Sequence, residues 1–240
     1  MTHPSQPTPL RALGWLVLFA GLTFGASLGF QWLYIRYLAF TDSSLSADQR
    51  IDLFFDWVTS SQGLGTLYLI QVAVVLPLLL MAAHFPQQSW RHTLALYPVR
   101  LGVIGKWLLA WVATMAVVGF VLYQMGASEE LFMEQVLSNP HWLMLLSASV
   151  LAPILEELVF RGYLWKAFRP TRMGFIGTLL VTSTAFAMMH GLQYSEFGIA
   201  QVFCLALVMG VAREYTGSVV TPIVIHTFQN TLASVLILAQ

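Results

Sequence analysis

Six side chains able to move protons or hold charge interrupt an otherwise apolar stretch: Glu156, Glu157 and Arg161, then His190, then His226 and Asn230. A charged side chain at the centre of a membrane helix costs at least about 2.5–3.5 kcal/mol, so such residues usually face water or protein and have a function. Glu157 and Arg161 are four apart, which predicts an ion pair on one helix face. Glu156 is turned by about 100° from Glu157, so the two carboxylates cannot share a task and Glu156 is left to face a cavity. An unpaired carboxylate in a poorly hydrated cavity suits the work of a general base. His226 and Asn230 are also four apart, and Phe186 precedes His190 by the same interval.

Together these groups supply a base, a proton relay and donors for an oxyanion, which points to hydrolysis. Glu156 and His190 would hold and deprotonate a water. His226 and Asn230 would donate hydrogen bonds to the tetrahedral oxyanion, with Thr221-Pro222 as N-cap and first helical position placing His226 near a helix N-terminus. Each group also has a structural reading: an ion-pair network for Glu156, Glu157 and Arg161, an interfacial or core histidine for His190, and an interhelical hydrogen bond for His226 and Asn230. A serine nucleophile in a Gly-x-Ser motif is not expected, nor a paired aspartate such as intramembrane aspartyl proteases require. Cys204, the lone cysteine, lies in an apolar stretch and reads as a packing residue.

Glu156-Glu157-x-x-x-Arg161, Phe186-x-x-x-His190 and His226-x-x-x-Asn230, in that order, resemble the three motifs of the type II CAAX prenyl endopeptidase and bacteriocin-processing (CPBP, abortive-infection) family. The resemblance covers about residues 148–231 and includes Thr216-Gly217-Ser218. It implies a glutamate-dependent intramembrane endopeptidase with no metal or other cofactor. The catalytic positions implied are Glu156, His190, His226 and Asn230, supported by Glu157, Arg161 and Phe186. The partners implied are a peptide or protein substrate in the membrane and the bilayer itself, with prenylated C-termini, leader peptides or sorting tails all permitted. Two alternatives stand beside it. One is a zinc protease using His190, His226 and a Glu, although no HExxH helix is present. The other is a non-catalytic membrane protein, either a peptide-binding or immunity protein or a proton-coupled transporter.

Composition sets the frame that must position these groups. Of 240 residues, 58% are hydrophobic and 9% charged, against roughly 25% charged in a soluble domain. The chain reads as an all-α, polytopic transmembrane helix bundle, one membrane domain over residues 1–240 with a polar tail at 1–10 and catalytic helices at 142–238. Zero net charge gives no reason to expect nucleic acid as a partner. Apolar segments at 13–38, 64–84, 101–125, 142–165, 175–190, 197–212 and 219–238 predict about seven spans. The fifth and sixth are short enough to be tilted or partly buried.

Acids gather at 41–62 and 127–140, whereas bases gather at 86–100 and 166–172. That alternation predicts a cytoplasmic N-terminus in an integral membrane protein, and a bacterial inner membrane is the expected setting. Stretches 51–58 and 131–137 mix acids with Phe, Trp and Leu and predict short interfacial helices. One count sits awkwardly: from Arg172, His190 would lie about 25 Å deep, deeper than Glu156, so the fifth helix must start late or tilt.

Overall fold

The computed structural model describes residues 6–127, 136, 138–191 and 193–239. Helices α1 (Pro9–Thr41), α3 (Ser61–Ala83), α5 (Leu101–Gln124), α6 (Trp142–Phe168), α8 (Glu196–Thr216) and α9 (Val220–Leu238) are long and apolar enough to cross a membrane. Shorter helices are α2 (Ala47–Thr59), α4 (Trp90–Thr93) and α7 (Gly174–Met189). The fold is therefore an all-α polytopic bundle, and the six spans with α7 correspond to the seven apolar segments. The expected helix at 51–58 falls inside α2, started by a Ser46–Gln49 capping box. The one expected at 131–137 lies largely outside the described residues.

Alternate chain crossings bring helix ends into two groups. At one end Arg11 donates to the Ala82 carbonyl and Ser218 Oγ to the Tyr97 carbonyl, while Arg169 pairs with Glu214. At the other, the His141 N–H meets Ser61 Oγ, and Gly65 packs where an added Cβ would sit 2.6 Å from Met144 N. Gly65 is thus the residue that lets α3 and α6 touch backbone to backbone. The core between the ends includes Leu79, Leu158, Tyr163, Phe186, Met209 and Ile225. Helix α1, held against α3 and α2, leaves most of its apolar surface outward, as a lipid-facing span should.

Helix α6 is the most buried of the six spans. It is not a regular α-helix: Ser147–Leu151 and Leu158–Leu164 are π-helical turns, a form often found at functional sites. They bracket the two glutamates. Pro153 follows the first π turn and has no N–H to give back along the helix. Within the turn Ala152 N–H reaches the Ser147 carbonyl, so the next carbonyl in that register, Ala148, has lost its natural donor.

The awkward depth of His190 has a simple origin. Helix α7 starts at Gly174, whose φ of +57° is left-handed, and runs 16 residues. At 1.5 Å per residue it is about 24 Å long, short of the roughly 30 Å apolar core. His190 sits just past its last turn, and the chain reverses there into α8. One expectation is corrected: Thr221 does not cap α9. That helix begins at Val220, two residues earlier than expected, and Thr221 Oγ1 is buried without a hydrogen bond. His226 is consequently in the second turn, beyond the reach of a terminal dipole, which fades within the first.

Candidate active site

Helix α6 presents Glu156 and Glu157 to different neighbours. Glu157 is fully buried, and its Oε1 accepts from Arg161 Nη1 at 3.0 Å and from His226 Nδ1 at 3.0 Å. Arg161, also fully buried, uses Nη2 to donate to the Ala206 carbonyl on α8 at 2.9 Å. Its guanidinium lies 4.6 Å above the Phe186 ring, a cation–π contact that desolvation strengthens. Glu157 therefore joins α6 to α9 while Arg161 joins α6 to α8, and neither charge is left alone in the core.

Glu156 is different. Its side chain is 19% exposed, and Oε2 lies 4.0 Å from His226 Nε2. It lines a cavity of about 70 Å³ together with Tyr68, Ala148, His190, Gln193 and Asn230. Beyond it a larger cavity of about 250 Å³ is lined by Met115, Phe186, Gln201, His226 and Gln229, and again by His190 and Asn230. His190 and Asn230 thus border both chambers, with Glu156 on one side and His226 on the other.

Each of these polar groups is held from behind. Asn230 Nδ2 donates to the Ala148 carbonyl at 2.8 Å, the oxygen that Pro153 and the π winding set free. His190 Nδ1 donates to the Phe186 carbonyl at 2.9 Å. Phe186 packs edge-on against both His226 and Phe160, with ring centroids 5.5 and 5.3 Å apart. At the start of the second motif, Phe186 is thus a wedge between the imidazole and the guanidinium. With each Nδ1 facing an oxygen acceptor, each ring turns its Nε2 away from that partner.

The structure brings all seven residues singled out by spacing into this one cluster. Other lining groups carried no signal strong enough to be chosen. Tyr68 comes from α3, and Gln193 Nε2 donates to its hydroxyl at 3.5 Å across the chamber. Arg213 turns inward and donates from Nε to the Arg161 carbonyl at 2.8 Å. Its neighbour Glu214 turns outward to Arg169. The expectation of no Gly-x-Ser motif is corrected in one place: Gly25-Ala26-Ser27-Leu28-Gly29 reads as Gly-x-Ser-x-Gly, but it lies inside α1. It lacks the strand-to-helix turn that exposes such a serine. Among the described residues no three His, Cys, Asp or Glu side chains are grouped as a metal site requires.

Comparison with known proteins bears on the same stretch. Residues 137–232 match the family of type II CAAX prenyl endopeptidase, Rce1-like, proteins. That match spans about two fifths of the chain. It holds all three CPBP motifs, from Glu156 to Asn230. The chain is also 29% identical, over 153 residues, to an uncharacterized 24.3 kDa protein of Escherichia coli, covering 60% of this chain and 70% of that protein. It is 31% identical over 146 residues to the membrane-embedded CAAX protease MroQ of Staphylococcus aureus, covering 52% of this chain and 56% of MroQ. No solved structure matches. The family match, the CAAX-protease relative and six apolar spans together support a membrane protease.

Proposed function

We propose that the chain is an intramembrane endopeptidase in which Glu156 activates a water for attack on a peptide bond, without a metal. The observation that carries this is the 4.0 Å gap between Glu156 Oε2 and His226 Nε2. Both atoms are acceptors when His226 Nδ1–H is given to Glu157. A single water held about 2.8 Å from each would see them at an angle of roughly 90°, near its own H–O–H angle.

Glu156 then takes one proton as the water oxygen bonds to the carbonyl carbon. The amide hydrogen of Asn230 not used on Ala148 faces the developing oxyanion. Glu156 returns its proton to the amine nitrogen as the C–N bond breaks, so one water is consumed and a carboxylic acid, which keeps the water's other proton, and an amine leave. Glu157 keeps His226 in the required tautomer and Arg161 neutralises Glu157, in the manner of a base and its orienting partner. His190, on the border of both chambers, is left with Nε2 for the substrate.

Charge supports an orientation. The end holding Arg11, Arg91, Arg100, Lys106, Lys166, Arg169, Arg172 and Arg213 has Glu214 as its acid among the described residues, whereas Asp42, Asp48, Asp52, Asp56 and Glu196 lie at the opposite end with Arg36 and Arg50. The positive-inside tendency makes the basic end, with the N-terminus, cytoplasmic. Tyr68 near the start of α3, Gln193 beyond α7, and Ala233 and Ile237 late in α9 line the chambers from the acidic end. In this reading the substrate is a membrane-associated peptide that meets Glu156 from the non-cytoplasmic half of a bacterial plasma membrane.

A zinc mechanism with the same residues is separated by treating the purified protein with strong chelators. The proposal expects peptide cleavage to continue unchanged and added zinc to leave it so. Loss on chelation with recovery on zinc addition would replace it with metal catalysis.

A further inference from the structure

On the basic end, remote from the two glutamates, a pocket of about 370 Å³ is lined by Trp165, Lys166, Arg169, Pro170, Arg213 and Glu214. Three cations share it with one carboxylate, and that carboxylate is already taken. Glu214 Oε1 accepts from Arg169 Nη2 at 2.7 Å and Nε at 2.9 Å, and Oε2 accepts from Trp165 Nε1 at 3.3 Å. Lys166 forms no ion pair among the described residues. Arg213 is 8% exposed, and its Nε is used on the Arg161 carbonyl. Its two terminal nitrogens remain for the pocket it lines.

We infer that this pocket binds the phosphate of an anionic phospholipid headgroup. The planar fork of Arg213 suits two phosphate oxygens, and Lys166 adds a mobile point charge beside it. A lipid fits better than a soluble anion because of where the pocket lies. It opens where α6 and α8 reach the polar end of the bundle, at the level of Trp165, and basic pockets between spanning helices on the cytoplasmic side are suited to such headgroups. Occupancy has a route to the active site, because Arg213 also holds the carbonyl of Arg161, whose guanidinium holds Glu157.

The test is thermal unfolding of the whole protein in nanodiscs of phosphatidylcholine alone, and of the same lipid with phosphatidylglycerol titrated in. Wild type is expected to melt higher as phosphatidylglycerol rises. Lys166→Gln should need roughly fivefold more of it for the same gain, while melting as wild type does in phosphatidylcholine alone. Lys106→Gln, which removes a base at the same end but outside the pocket, should respond as wild type does. No gain in wild type, or equal weakening in the two variants, would overturn the site. An equal gain from inorganic phosphate in lipid-free detergent would overturn the lipid as its ligand.

Discussion

His226 Nδ1 lies 3.0 Å from Glu157 Oε1, the same oxygen that Arg161 Nη1 reaches at 3.0 Å. One buried carboxylate oxygen therefore fixes an imidazole on α9 and a guanidinium on α6. This separates the two adjacent glutamates by function: Glu157 holds the frame, and Glu156 is left facing the chamber.

Replacing Glu157 with Gln leaves an oxygen for His226 but removes the charge opposite a fully buried arginine. Breaking a buried pair from one side costs on the order of 3–5 kcal/mol. The expected result is a clear drop in melting temperature with part of the cleavage activity retained. Unchanged melting and full activity would show that the two carboxylates have been assigned the wrong way round.

Asn230→Leu removes the donor to the Ala148 carbonyl, which Pro153 has already deprived of a helical one. A partly buried acceptor left unpaired costs at most about 1–3 kcal/mol. Cleavage is expected to fall far more than stability, since the same side chain faces the oxyanion; calorimetry and a turnover assay on one preparation check the pair. A variant that loses stability but cleaves at the wild-type rate would restrict Asn230 to holding the π turn.

Gly65→Val tests the close contact between α3 and α6. A side chain there meets Met144 and Leu143 backbone rather than a flexible tip, and overpacking of this kind costs about 1–3 kcal/mol. Melting should fall, and the chamber lined by Tyr68 and Glu156 should lose its geometry with it. Gly25→Val, in α1 where nothing lies within 4 Å, should melt as wild type does.

Topology is checked by cysteine labelling. In a Cys204→Ser background, Gln193→Cys should react with a membrane-impermeant maleimide from outside intact spheroplasts, and Arg172→Cys only in inverted vesicles. The reverse pattern would turn the orientation, and with it the side of substrate access, upside down.

Much of this arrangement was legible in residue order because it depends on helical spacing. Glu157 and Arg161, four apart, form the expected ion pair, and the seven apolar segments are seven helices. What spacing could not give is contact between helices. Tyr68 lies about ninety positions before Glu156 in the chain and joins it only because Gly65 admits α6. Arg213 and Glu214 cancel as a dipeptide, yet on a helix they point about 100° apart, one into the core and one to Arg169. The Thr221-Pro222 pair misled for a local reason: Pro is tolerated throughout the first turn, where its missing N–H is no loss, so it marks a helix start only to within a few residues. The two π turns had Pro153 as their one sequence signal.

The most direct test compares membranes carrying equal amounts of wild-type protein and Glu156→Gln, with matched melting temperatures, by mass spectrometry of newly formed peptide termini. The proposed mechanism predicts a defined set of termini in wild type that is absent with Glu156→Gln, because the glutamine cannot take the proton of the attacking water. The same termini appearing with both proteins at similar rates would contradict it.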